Sequence, residues 1–168
     1  MKSKIHHSGN WRAKSVSIVT LGLLLWFFVG LAAESQDFDV GLMAYKEGDY
    51  TTALQKFKSL AKSGDIRAQY YLGEMYRRGD GVTKDYREAV NWWRLAAVQG
   101  DIWAQYMLGV TYYFGADGVP ADHIVALAWL DLVVAQGIKD ARPLWHSLQA
   151  QLTPAEVEEA KGLARNWQ

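Results

Sequence analysis

Outside the first seven residues the chain has two histidines, His123 and His146. Neither has a nucleophile or a second ligand at a spacing that chemistry could use. No Ser–His–Asp order, zinc-ligand spacing or phosphate-cradling glycine loop occurs. Cysteine is absent, so disulfides and thiol nucleophiles are excluded. His6 and His7 fall in a basic leading stretch and read poorly as metal ligands. His123 follows Asp122 and reads as a solvated first-turn residue, and His146 as a packing variant. Asp65, Asp85, Asp101 and Asp122 recur at the places where helices begin, so their carboxylates are expected to cap backbone N–H groups rather than to act as an acid/base pair. The expectation is therefore no enzyme, no cofactor and no metal site.

The elements that carry these residues come in two copies. Residues 65–100 and 101–137 align over Asp65-Ile66-x-Ala68-Gln69-Tyr70-x-Leu72-Gly73 and Asp101-Ile102-x-Ala104-Gln105-Tyr106-x-Leu108-Gly109. Tyr76, Gly81, Asp85, Ala89, Trp92 and Gly100 then match Tyr112, Gly118, Asp122, Ala126, Trp129 and Gly137. The period of about 36 residues is that of helical repeats. Ala68, Leu72 and Tyr76 share a helix face at i, i+4, i+8. Gly79-Asp80-Gly81 interrupts it, and a second helix starts at Asp85, where Glu88 completes a capping-box-like pattern. That helix carries Ala89, Trp92, Trp93, Ala96 and Ala97. The second copy has one extra residue between Gly115 and Gly118, which a loop would absorb. Gly73 and Gly109 inside helices each cost roughly 1 kcal/mol against Ala. A close helix approach would account for that cost, with Ala89 and Ala126 opposite and Trp92 and Trp129 filling the space between repeats.

The pattern from Ala68 through Leu72-Gly73, Tyr76, Gly79-x-Gly81-Val82, Asp85, Ala89, Trp92 and Ala96-Ala97 to Gly100 resembles the Sel-1-like repeat, a longer-looped relative of the tetratricopeptide repeat. The second copy departs from it at Val133-Val134, where the family prefers Ala-Ala. The resemblance implies an all-α, right-handed α-solenoid of antiparallel helix pairs whose first helices line a concave groove. Residues 34–64 read as a shorter, tetratricopeptide-like first repeat, through Gly41, Tyr45, Gly48-Asp49-Tyr50, Ala53, Phe57 and Gly64. Residues 138–168 read as a degenerate closing repeat, with Pro143 in a first turn and Thr153-Pro154-Ala155-Glu156 as a strong helix start.

Residues 1–33 read as a targeting segment. Lys2, Lys4, Arg12 and Lys14 precede an apolar run over 16–33. It is expected to be a cleaved signal peptide or, alternatively, a retained membrane anchor. Either way the rest is exported, periplasmic or secreted, or membrane-anchored, with the membrane involved only through this segment. Those four cations have no acidic counterpart before Glu34, and the whole chain is formally neutral. The remainder is therefore acidic, which argues against nucleic acid as a partner.

Positions that are identical in both copies are most simply structural, as at Gln69/Gln105 and Tyr70/Tyr106. Positions on the first helices that differ are free to specialise: Arg67/Trp103, Glu74/Val110, Arg77/Tyr113 and Arg78/Phe114. Arg, Trp and Tyr are frequent interface anchors. The candidate partner-binding set is Arg67, Glu74, Arg77, Trp103, Tyr106 and Tyr113. Competing structural uses stay open: Arg77 and Arg78 complementing a helix C-terminus, Trp103 packing between repeats, Phe114 under the longer loop. The function expected is a non-catalytic scaffold holding a protein or peptide, in an envelope or secretory assembly as the resemblance implies. The alternative is a cell-wall or β-lactam-directed hydrolase, or a binder of peptidoglycan fragments. N-terminal sequencing of the mature protein distinguishes the two fates of the leading segment: a start near Glu34 marks a cleaved signal, and an intact Met1 marks an anchor.

Overall fold

The structure is a computed structural model and describes residues 36–167. The targeting segment expected over 1–33 lies outside them. Among the described residues eight α-helices follow one another: α1 (36–47), α2 (Tyr50–Lys62), α3 (Ile66–Arg78), α4 (Tyr86–Ala97), α5 (Ile102–Phe114), α6 (His123–Ala135), α7 (Arg142–Gln151) and α8 (Pro154–Asn166). A short 3-10 turn, Lys139–Ala141, precedes α7. No helix among the described residues is long and apolar enough to cross a membrane. The expected all-α solenoid of helix pairs is what forms: α3 packs on α4, α5 on α6, and α2–α3 and α4–α5 join neighbouring pairs.

Aspartates start five of these helices. The Asp49 carboxylate accepts from Thr52 N–H at 3.1 Å, Asp65 from Ala68 at 2.9 Å and Asp101 from Ala104 at 2.7 Å. Asp85 and Asp122 each accept two N–H groups, from Arg87 and Glu88 and from Ile124 and Val125. These bonds satisfy donors that a helix N-terminus leaves free. The reciprocal capping box forms at Thr153/Glu156 rather than at Asp85/Glu88. The extra residue of the second copy is absorbed in a tight turn, where Ala116 and Val119 exchange N–H···O bonds of 2.8 and 2.9 Å.

The helix pairs are closed by one contact made three times. Gly41 of α1 lies under Phe57 of α2, Gly73 of α3 under Trp93 of α4, and Gly109 of α5 under Leu130 of α6. Each large residue sits eight positions after its capping aspartate and is fully buried. A Cβ on Gly73 would stand 2.5 Å from the Trp93 indole, and one on Gly109 2.8 Å from Leu130. At Gly73 this corrects the expectation of Ala89 opposite the glycine, whereas at Gly109 the Ala126 carbonyl does lie opposite, 3.6 Å from such a Cβ and behind Leu130. Both alanines are fully buried, but the bulk opposite the glycines is the residue four further on. Of the two tryptophans expected to fill the space between repeats, Trp129 is buried and Trp92 is half-buried against the α1–α3 cluster, while the neighbouring Trp93 is the fully buried one. The Trp93 Nε1 has no hydrogen-bond partner, at a cost of about 1–3 kcal/mol. Burying an indole of 150–250 Å² returns roughly 4–6 kcal/mol, so the tryptophan remains a net gain.

Polar contacts set the join between repeats. Gln69 Nε2 donates to Ala61 O at 3.2 Å, and Gln105 Nε2 to Ala97 O at 3.0 Å. Each glutamine then accepts from the next: Gln99 to Gln69 at 2.8 Å and Gln136 to Gln105 at 2.9 Å. Buried amides are thereby satisfied at the α2–α3 and α4–α5 seams. The loops stack as well. Gly81 abuts Tyr50 at the start of α2, Gly118 abuts Arg87 at the start of α4, and Arg87 Nε donates to Gly118 O at 2.9 Å. An aromatic cluster fills the first seam, with Phe57 stacked on Tyr71 at 5.2 Å and Phe38 against both.

The closing pair departs from the repeat, because α7 and α8 both pack on α6 rather than chiefly on each other. Trp167, past the end of α8, stacks on Trp129 at 4.0 Å. His146 was expected at the site of the repeat glycine, in packing; instead it is exposed, its ring against Trp145. A 3-10 turn opens this segment where the two full copies go straight into an α-helix. Gly73→Ala gains helix propensity but drives a methyl into the Trp93 ring. The expected net effect is a loss of about 1–3 kcal/mol in a urea melt, and an unchanged or raised midpoint would refute this contact.

Candidate functional site

The first helices of the two full copies carry matched stripes with different chemistry. On α3, Arg67 is exposed at the helix start, 3.0 Å from Asp65, with its guanidinium 3.9 Å from the Phe38 ring centre. One turn on, Tyr70 is half-buried. Glu74, counted among the partner-binding candidates, is only 5% exposed. Arg77 grips its carboxylate through Nε at 3.1 Å and a terminal nitrogen at 2.7 Å, and Arg78 adds a bond at 3.3 Å. A buried carboxylate needs such pairing. Glu74 is therefore a support that fixes Arg77, not a surface that meets a partner. Its hydrogen bonds raise the Arg77 pKa further above the usual guanidinium value. The two arginines stand in the last turn of α3, where cations also suit the helix dipole.

On α5 the matching positions are aromatic or apolar. Trp103 is 58% exposed and Phe114 69% exposed. Trp103 therefore does not pack between repeats, nor Phe114 beneath the loop; Phe114 meets the Tyr113 ring edge-on at 4.7 Å. Tyr106 is half-buried. The Tyr113 hydroxyl pairs with Ser147 Oγ of α7 at 3.2 Å, and its ring stacks on His123 at 5.5 Å. His123 is thus half-buried against an aromatic rather than fully solvated. The second tie on α7 is a hydrogen bond from Trp145 Nε1 to Asp131 of α6.

These stripes meet in a groove of about 380 Å³ lined by Arg77, Tyr86, Met107, Val110 and Phe114, with Asp117 in the loop beyond. Of the six candidates it gathers only Arg77. Arg67 and Trp103 stand at the opposite ends of their helices. Tyr86 and Met107 were not singled out from the sequence, although Met107, Val110 and Phe114 form an i, i+3, i+7 series that a search for exposed apolar faces could find. A wider hollow of about 590 Å³ between Lys84–Arg87 and Asp117-Gly118 has polar walls and belongs to the loop-stacking seam.

Comparisons with known proteins fit this geometry. The Sel1 repeat family matches residues 66–101 and 104–137. The crystal structure of a Sel1 repeat protein from Oxalobacter formigenes is 35% identical, with a TM-score of 0.60 over 68% of this chain and 88% of that one. The crystal structure of c5321, a protective antigen of uropathogenic Escherichia coli strains displaying an SLR fold, is 29% identical. Its TM-score is 0.72 over 80% of this chain and 29% of that one. An exopolysaccharide production negative regulator of Rhizobium leguminosarum bv. viciae is 37% identical over 59 residues, 33% of this chain and 22% of the regulator. The chain thus spans less than a third of both the antigen and the regulator.

Burial and the nearby Glu74 carboxylate push the Tyr70 phenol up to about 12. An unfolded tyrosine ionises near 10. Between about pH 10 and 12 the unfolded chain therefore releases a proton that the folded chain holds, and stability falls as pH rises. Tyr70→Phe is expected to flatten the fall of the urea midpoint across that window, and an unchanged slope would contradict the assignment.

Proposed function

Since the chain belongs to the Sel1 repeat family, we propose that it is a non-catalytic, exported scaffold that holds a protein or peptide on the face formed by α3 and α5. One observation carries this reading. On the first helices the outer stripe changes from charged, at Arg67, Arg77 and Arg78, to aromatic, at Trp103, Tyr113 and Phe114, and two of those aromatics stay in water. Trp103 and Phe114 remain more than half exposed, although apolar side chains of that size gain from burial. The basic start and apolar run over 2–33 support export. Similarity to a negative regulator is in keeping with an adaptor that acts by holding another protein.

A photoreactive residue at position 103 is expected to crosslink a defined partner in the native host, whereas one at Asn91, exposed on α4, captures none. Trp103→Ala should lower capture about tenfold, as interface anchors do, and shift the urea midpoint by less than about 0.5 kcal/mol, as exposed positions do. Capture from α4 but not from α5 would place the partner elsewhere.

A further inference from the structure

We propose that the groove between α3 and α5 receives one large apolar side chain of an extended protein segment, with a carboxylate of the same segment beside it on Arg77. This deepens the scaffold reading and rests on it. Met107, Val110, Tyr86 and Phe114 give it an apolar lining, and the hollow of about 380 Å³ lies at the small end of sites that hold discrete groups. An apolar anchor removes the exposed face of Phe114 from water.

The charges set what must flank that anchor. Glu74 is one carboxylate shared by two guanidiniums, Arg77 in the groove lining and Arg78 outside it, so the last turn of α3 keeps one surplus positive charge. In α3 the carboxylate beside Arg77 is built in, at Glu74; at the matching position of α5, also lining the groove, stands Val110. A partner's carboxylate fills on the α5 side the role that Glu74 plays within α3. The remaining charges fix its orientation. Asp117 stands at the loop end of the groove, and Asp80 lies beyond Arg78, accepting from the Tyr45 hydroxyl at 2.9 Å. A carboxylate is repelled from the loop end and drawn to the α3 wall, where it forms a charge-assisted bond.

Fluorescence polarisation with the full chain and four labelled peptides on one Gly/Ser backbone tests this, the central pair being Phe-Glu, Phe-Lys, Ser-Glu or Ser-Lys. The Phe-Glu peptide is expected to bind, and each single replacement to weaken it about tenfold or more. Phe114→Ala, at an exposed position, should weaken Phe-Glu about tenfold with unchanged helicity, and Val110→Glu should abolish the preference for Glu over Lys. No binding of Phe-Glu, equal binding of Phe-Lys, or indifference to Phe114→Ala overturns the proposal. If crosslinking from position 103 still captures a partner, the scaffold reading stands and only this chemistry falls.

Discussion

The fold depends on a glycine lying flat beneath a large buried side chain in each helix pair. Gly41 under Phe57, Gly73 under Trp93 and Gly109 under Leu130 bring two helix backbones close enough for the alanines around them to pack. A glycine inside a helix costs about 1 kcal/mol, less than the overpacking that any Cβ would cause there. The large residue may vary among Phe, Trp and Leu because the hole it fills is made by an absence. The small residue has no such freedom.

That division assigns roles along each first helix. One face, with Ala68, Leu72 and Gly73 or Ala104, Leu108 and Gly109, is committed to packing. The glutamines at 69 and 105 are committed to the seam. What is left is a stripe whose composition the core does not constrain, and there the copies diverge. Where that stripe turns inward, as at Glu74, the divergence has a structural cost, met by two arginines. Where it stays outside, as at Trp103 and Phe114, it is free for recognition.

Much of the architecture was legible because two copies lie side by side in one chain. Capping aspartates, helix breaks and the structural role of Gln69/Gln105 follow from identity between them. The partners of the glycines did not, because Trp92 and Trp93 are adjacent and only rotation about α4 decides which faces inward. Glu74 misled for a related reason: a carboxylate on an outer stripe looks solvated until neighbouring arginines fold over it. His146 escaped because the closing pair packs differently, with both α7 and α8 against α6, and nothing in residue spacing announces that arrangement. The groove was half visible, since Arg77 was singled out but the lining at Met107 was not.

The amide ladder has one more consequence. Gln136 donates a hydrogen bond to Gln105, which donates one to the carbonyl of Ala97, and Gln99 does the same through Gln69 to Ala61. Every link points toward the N-terminus, so the stack has a head and a tail. Two units set face to face would oppose NH₂ to NH₂ or oxygen to oxygen. Growth by duplication in tandem meets no such conflict, because each added copy finds an acceptor already waiting in the one before it.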